Sequence, residues 1–296
     1  MIVYYQRLID DCDDHSLLND IANFLKKYKN ATLVEVDSYN PVLVNEIECT
    51  VWDCELIIHE PELDIVRGIC LADAPYKMID FFIERNNEKD VLLVAQFQDN
   101  IISQKPISFK IIPTVYTRMS PNVCLDTFYS RRLQLSKYED KFVFRGNVDS
   151  AARGSADLLV NYDEFAGHNH INMIDYYNEI INYKVGLSIP GVGEKCHRDV
   201  EYMAIGLPIM KFEYTSTWNP ILIPNYHYIS IDRIDEYYEH ERIGGQEYVE
   251  LYLQKFNVVK NNTEFLEFIS KNAREYYQTN LHPISRVNSI IKELLV

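Results

Sequence analysis

Lys184 to Phe212 reads KVGLSIPGVGEKCHRDVEYMAIGLPIMKF. Val185, Leu187 and Ile189 with only small residues between them predict a strand covered on both faces, as in a parallel sheet. Pro190-Gly191-Val192-Gly193 breaks that strand. A helix is expected to open near His197 or Arg198 and to stop at Gly206, where Gly-Leu-Pro turns the chain into a second buried strand, Leu207–Phe212. Strand, glycine loop, helix and strand are the building unit of an α/β sheet. A glycine loop ahead of a helix lets backbone N–H groups approach an anion closely, and the helix N-terminus adds its partial positive charge.

The charges around this loop suit such an anion better than they suit a helix. Lys195, His197 and Arg198 bring as many as three cationic or donor groups to the helix start, where they oppose the dipole. A bound diphosphate resolves the conflict, with Ser188 at the strand end and Gly191 and Gly193 opening the backbone to it. Arg198 and Glu201 are three apart and share a helix face. The arginine can grip a phosphate while the glutamate accepts from ribose hydroxyls, or the two can form an ordinary intrahelical pair. A second basic cluster lies upstream in KFVFRGNVDSAAR, Lys141 to Arg153. Arg145 and Gly146 end a predicted strand and Arg153 falls where a helix would begin, positions from which an α/β sheet presents ligands for a pyrophosphate.

Further out, the alternation continues. Apolar runs at Ala31–Val36, Glu55–His59, Asp90–Phe97, Phe109–Thr117, Lys141–Phe144 and His227–Ile231 read as strands. Ser16–Tyr28, Ala74–Arg85, Asn172–Asn182 and Arg198–Ile205 read as helices, followed by Glu264–Gln278 capped by Thr263 and Arg286–Leu295 capped by Ser285. The expected fold is α/β, with two Rossmann-like domains facing a cleft. Residues 100–138, rich in proline and polar residues, suggest a linker, so an N-terminal domain is placed at 1–135 and a C-terminal one at 136–296, the last helices packing back on the first domain.

Composition narrows the function. The chain has 296 residues, 47% hydrophobic, and 29 Lys plus Arg against 44 Asp plus Glu, a net charge of −15. That balance repels a phosphate backbone and argues against nucleic acid or an anionic membrane as partner. Six cysteines without a CxxC pair fit reduced thiols rather than a disulfide frame or structural zinc. No window approaches the run of about 20 apolar residues that spans a bilayer, and no secretory leader is visible, so a soluble cytoplasmic protein is expected. GxSxG, Walker and HExxH motifs are missing, which removes the usual anchors of hydrolases and NTPases. The acids at Asp10, Asp11, Asp13 and Asp14 run into a helix start, where dipole and capping account for them. His168 and His170 lack a placed third ligand, so no metal site is assigned.

FRG followed by a nearby arginine, then a strand, a small-residue loop, a helical arginine, a Gly turn and the aromatic-rich strand PNYHYISID resembles the donor-binding half of Rumi-type protein O-glucosyltransferases and capsule-associated xylosyltransferases. EYMAIGLPIM is similar to the Glu-x-x-Ala-x-Gly-x-Pro element of GT-B glycosyltransferases. The likeness covers about Lys141 to Asp232 and departs at CHRDVEY, where that family carries an aromatic-basic run. It implies a nucleotide-sugar donor, uridine-linked, with phosphates on Arg153 and Arg198 and ribose near Glu201. No metal or other cofactor is obligatory, since basic side chains and helix dipoles stabilise the leaving diphosphate. The acceptor is then a hydroxyl on a glycan or related molecule, as in building a polysaccharide precursor. Inverting transfer, usual in that family, needs a base, and Asp99 at the end of DVLLVAQFQDN holds the position of the family's Arg-Asp, with Gln98 replacing the arginine. The alternative reading is a non-catalytic α/β nucleotide-binding or scaffold protein.

Overall fold

The structure, a computed structural model, describes residues 1–6, 13–36, 41–51, 55–71, 76–95, 107–113, 125–146, 154–168, 171–190, 195–213, 218, 220–232 and 245–295. The fold is α/β, with two Rossmann-like units. Contacts gather Met1–Pro121, Thr215–Ile221 and Asn280–Val296 into one unit, and Asn122–Tyr214 with Leu222–Thr279 into the other. Among the described residues no helix is long and apolar enough to cross a membrane.

The first unit contains β1 (Ile2–Tyr5), α1 (Asp13–Lys29), β2 (Thr32–Glu35), β3 (Val42–Val44), β4 (Ile47–Cys49), β5 (Glu55–Glu60), β6 (Ile65–Cys70), α2 (Tyr76–Arg85), β7 (Val91–Val94) and β8 (Lys110–Pro113). Its sheet runs β2-β1-β5-β6-β7-β8, and β5 alone is antiparallel to its neighbours. The reversal follows from a tight connection: Glu60 and Pro61 accept from Leu63 and Asp64, and the chain doubles back within four residues. β3 and β4 form a separate hairpin whose two turn residues, Asn45 and Glu46, both have positive φ. Arg85, ending α2, grips buried Asp90 through Nε at 2.7 Å, and Asp90 accepts from the Val66 N–H at 2.8 Å, so one carboxylate fixes the starts of β6 and β7. The C-terminal helix, Pro283–Leu295, packs on α1.

The second unit contains α3 (Leu125–Leu133), β9 (Glu139–Arg145), α4 (Gly154–Leu159), β10 (Phe165–His168), α5 (Met173–Ile180), β11 (Tyr183–Leu187), α6 (His197–Ile205), β12 (Ile209–Phe212), β13 (Ile229–Ile231), α7 (Gln246–Val259) and α8 (Thr263–Tyr276), and a π-helical turn, Tyr277–Leu281, follows α8 where the chain passes back to the first unit. All five strands are parallel, in the order β10-β9-β11-β12-β13. Counted within the unit this is 2-1-3-4-5, and strand order reverses between β9 and β11. In such sheets ligands bind at that reversal, outside the carboxyl ends of the strands.

Alternate strand residues serve different helices. Phe142, Val185, Leu187, Met210 and Phe212 join Tyr252, Phe256 and Ile269 of α7 and α8 in one apolar cluster. On the other face α6 lies so close that a Cβ on Gly186 would sit 2.4 Å from the Tyr202 ring. Gly206, at φ 67, ends α6 in the left-handed conformation, with the Leu207 N–H returning to the Tyr202 carbonyl at 2.9 Å.

Two expected caps are corrected. The side chain that accepts from the Phe265 N–H is that of Asn262, at 3.1 Å, and Thr263 is already helical. The C-terminal helix begins at Pro283, whose fixed φ suits a first helical position, so Ser285 lies inside it. Within the stretch expected as linker, residues 110–113 form β8 and 125–133 form α3.

Candidate functional site

The carboxyl ends of β9 and β11 and the start of α6 bring together Arg145, Gly146, Ser188, Lys195, Arg198 and Glu201. Asp99, Arg153, Gly191 and Gly193 lie outside the described residues.

Arg198 occupies the first turn of α6 and is 7% exposed. Its Nε and Nη2 donate to the Arg145 carbonyl at 3.1 and 2.6 Å, and its guanidinium carbon stands 4.2 Å from the Phe144 ring centre. Its Nη1 is buried without a hydrogen-bond partner. Among the described residues no carboxylate forms an ion pair with it. A buried guanidinium is ordinarily paired, because the desolvation of an uncompensated charge amounts to several kcal/mol.

Arg145, expected as a phosphate ligand, stands at the end of β9 with an acidic partner. Its guanidinium meets Glu179 of α5 in a two-pronged pair, at 2.9 Å from Nε and 2.8 Å from Nη2, and its carbonyl is what faces Arg198. Gly146 follows directly at the strand end, half-buried. The Tyr183 hydroxyl donates to Glu179 at 3.4 Å, and burial with the charge of Glu179 pushes its pKa up to about 12.

Glu201 is half-buried and accepts from the Tyr177 hydroxyl at 2.7 Å and the Tyr176 hydroxyl at 3.1 Å. Burial raises its pKa, against the opposing pull of the Tyr177 bond and the Arg198 charge. Tyr176 is raised well above the ordinary range by burial and by Glu201. Arg198 and Glu201 therefore hydrogen-bond to separate partners, and although each feels the other's charge no direct ion pair forms between them.

Ser188 is buried, and its hydroxyl donates to Asp199 at 2.5 Å. Asp199 also accepts from the Cys196 N–H at 2.8 Å and from the Lys211 ammonium at 3.2 Å. Lys195 is buried ahead of the helix, whereas His197 is exposed on its first turn. The sequence reading missed Asp199, Lys211, Glu179, Tyr176 and Tyr177. Two signals were available: Asp199 stands three residues past the helix cap, and Lys211 is a lone charge inside the strand IMKF. The others depend on α5 bringing Tyr176 and Tyr177 to Glu201 of α6 and Glu179 to Arg145 of β9, which spacing does not disclose. Among the described residues no group of three His, Cys, Asp or Glu is placed to hold a metal.

No family model and no curated protein sequence matches the chain. Among solved structures it is similar to the pneumococcal O-GlcNAc transferase GtfA in complex with UDP and GlcNAc, at 12% identity and a TM-score of 0.44 over 75% of this chain and 47% of that one. It is also similar to S. aureus TarM, in a mutant complex with fondaparinux, alpha-GlcNAc-glycerol and UDP, at 8% identity and a TM-score of 0.41 over 84% of this chain and 67% of that one. A third is WaaG, a glycosyltransferase involved in lipopolysaccharide biosynthesis, at 12% identity and a TM-score of 0.36 over 70% and 63%. The chain therefore spans about half the length of the first of these.

Proposed function

We propose that the chain is a GT-B-type glycosyltransferase that moves a sugar from a uridine-linked nucleotide donor to a hydroxyl of a glycan acceptor, with inversion at the anomeric carbon. One observation carries the reading. At the strand-order reversal of a parallel 2-1-3-4-5 sheet, in the first turn of a helix, Arg198 is buried with an unpartnered Nη1 and no acidic partner among the described residues. A diphosphate supplies the missing negative charge, and the start of α6 adds its dipole.

In this reaction Asp99 takes the acceptor proton while the acceptor oxygen attacks the anomeric carbon. The bond from that carbon to the diphosphate oxygen breaks, and the departing nucleoside diphosphate takes the electron pair. Arg198 and Arg153 meet the charge that develops on it, which is where fixed cations accelerate the step most. Arg145, held by Glu179 through Nε and Nη2, adds its positive charge from the end of β9. Glu201, held by two tyrosine hydroxyls, offers its remaining acceptor capacity to ribose.

The test is calorimetric titration of the native chain with UDP, GDP, ADP and CMP. UDP is expected to bind most tightly, and Arg198→Ala is expected to abolish the difference. Equal binding of all four, or UDP binding that Arg198→Ala leaves intact, overturns the assignment.

A further inference from the structure

Asp199 is fully buried in the first turn of α6 and carries three bonds, from the Ser188 hydroxyl, the Cys196 N–H and the Lys211 ammonium. Ser188 and Cys196 bracket the stretch containing Gly191 and Gly193, so a single carboxylate ties the end of β11 to the start of α6. The helix dipole and the capping bond already account for an acid at this position. Neither requires a lysine, yet Lys211 comes from the middle of β12, at the strand position facing α6, and is 1% exposed. Stability alone is a poor reason for it, because a buried ion pair can often be replaced by apolar residues without loss.

The lysine has a clear use if the diphosphate binds beside Arg198 at the start of α6, and the inference rests on that proposed donor site. A bare carboxylate in the first turn of α6 would repel an anion arriving at the same helix end. The geometry points to Lys211 as a positioning residue for the donor: it cancels the charge of Asp199, so that Asp199 can hold Ser188 and Cys196 in place without opposing the diphosphate. Lys211 needs no contact with the ligand to do this. It acts through the charge of its partner, and its effect should therefore scale with the charge of what binds.

UDP, UMP and uridine titrations of the native chain, Lys211→Met, Lys211→Arg, Asp199→Asn and the double variant test this. Lys211→Met should weaken UDP tenfold or more and UMP less, and should leave uridine within twofold of native. Lys211→Arg should recover most of the UDP affinity. The double variant should return to within about threefold of native, because the pair is again neutral, with the amide oxygen accepting from the Cys196 N–H and the amide NH2 donating to the Ser188 hydroxyl oxygen. Should Lys211→Met not fold, Asp199→Asn and the double variant decide: the first should bind UDP at least as tightly as native, and the second should bind it nearly so. Equal weakening of all three ligands, a double variant no better than Lys211→Met, or UDP affinity unaffected by Lys211→Met overturns the role. Failure of the native chain to bind UDP removes the donor site itself, a result distinct from native binding that the Lys211 variants leave untouched.

Discussion

Replacing Arg198 by methionine separates a binding arginine from a structural one. Three contributions hold the side chain in place or oppose it. The two N–H bonds to the Arg145 carbonyl, at 2.6 and 3.1 Å, are worth about 2 kcal/mol together, taking the range for charged donors to a shared acceptor. The stacking on Phe144 at 4.2 Å adds about 1 kcal/mol. Against these, the unpartnered Nη1 costs about 1–3 kcal/mol. The balance lies between about 0 and 2 kcal/mol in favour of the arginine, so Arg198→Met should destabilise the ligand-free chain by no more than about 2 kcal/mol, or about 4–8 °C in Tm for a unit of 150–250 residues. Binding behaves differently. UDP at a hundred times its Kd adds about 2.7 kcal/mol, or roughly 5–11 °C. Loss of charged bonds worth about 1.5–3 kcal/mol weakens affinity about 10- to 150-fold. At the same UDP concentration the methionine variant should keep less than about half of the native shift. Differential scanning calorimetry with and without UDP reads both quantities. A variant destabilised by more than about 3 kcal/mol without ligand, or one that keeps the full UDP shift, would refute the reasoning.

Gly186→Ala should destabilise the chain by about 3 kcal/mol, the upper end of overpacking, because its Cβ would meet the buried Tyr202 ring at 2.4 Å and Leu207 at 2.9 Å; urea denaturation checks this, and a loss below about 1 kcal/mol would contradict it. Asn262→Ala should cost about 1 kcal/mol and Thr263→Ala a few tenths, the reverse of what a threonine cap would give. His59 has both ring nitrogens buried without partners, and burial followed by the Arg85 charge lowers its pKa. The unfolded chain then binds more protons just below the ordinary value near 6.5, so stability is present above that pH and falls as pH drops towards the folded value. His59→Gln should flatten the stability profile just below about pH 6.5, and an unchanged slope there would contradict the linkage.

The stretch from Lys184 to Phe212 was readable because its local signals agree: small and branched residues in the strand, glycine before the helix, and Gly206 where a positive φ is required. β6 escaped because IVRGIC carries an arginine and a glycine in mid-strand. Arg67 pairs with Glu60 on the neighbouring strand, and Gly68 makes room for Phe82 and Leu92. α3 looked like linker because LDTFYSRRL shows two arginines and little periodicity. Arg132 is nevertheless buried, donating to the carbonyls of Ile181, Tyr183 and Gly206, and burial lowers its pKa to about 10. Such an arginine is indistinguishable in sequence from an exposed one, since its partners are 49, 51 and 74 residues away. The same holds for Arg145, whose acid lies 34 residues on. Arg198 could be singled out earlier because its position in the helix, and not its partner, made it anomalous.

Release of free nucleotide from UDP-, GDP-, CMP- and ADP-linked sugars, compared between the native chain, Arg198→Met and Asp99→Asn, tests the central claim most directly. The account predicts release from a UDP-sugar by the native chain, loss of that release in both variants, and UDP affinity retained in Asp99→Asn alone. UDP bound by the native chain with no release from any donor would contradict a transferase and leave a nucleotide-binding protein.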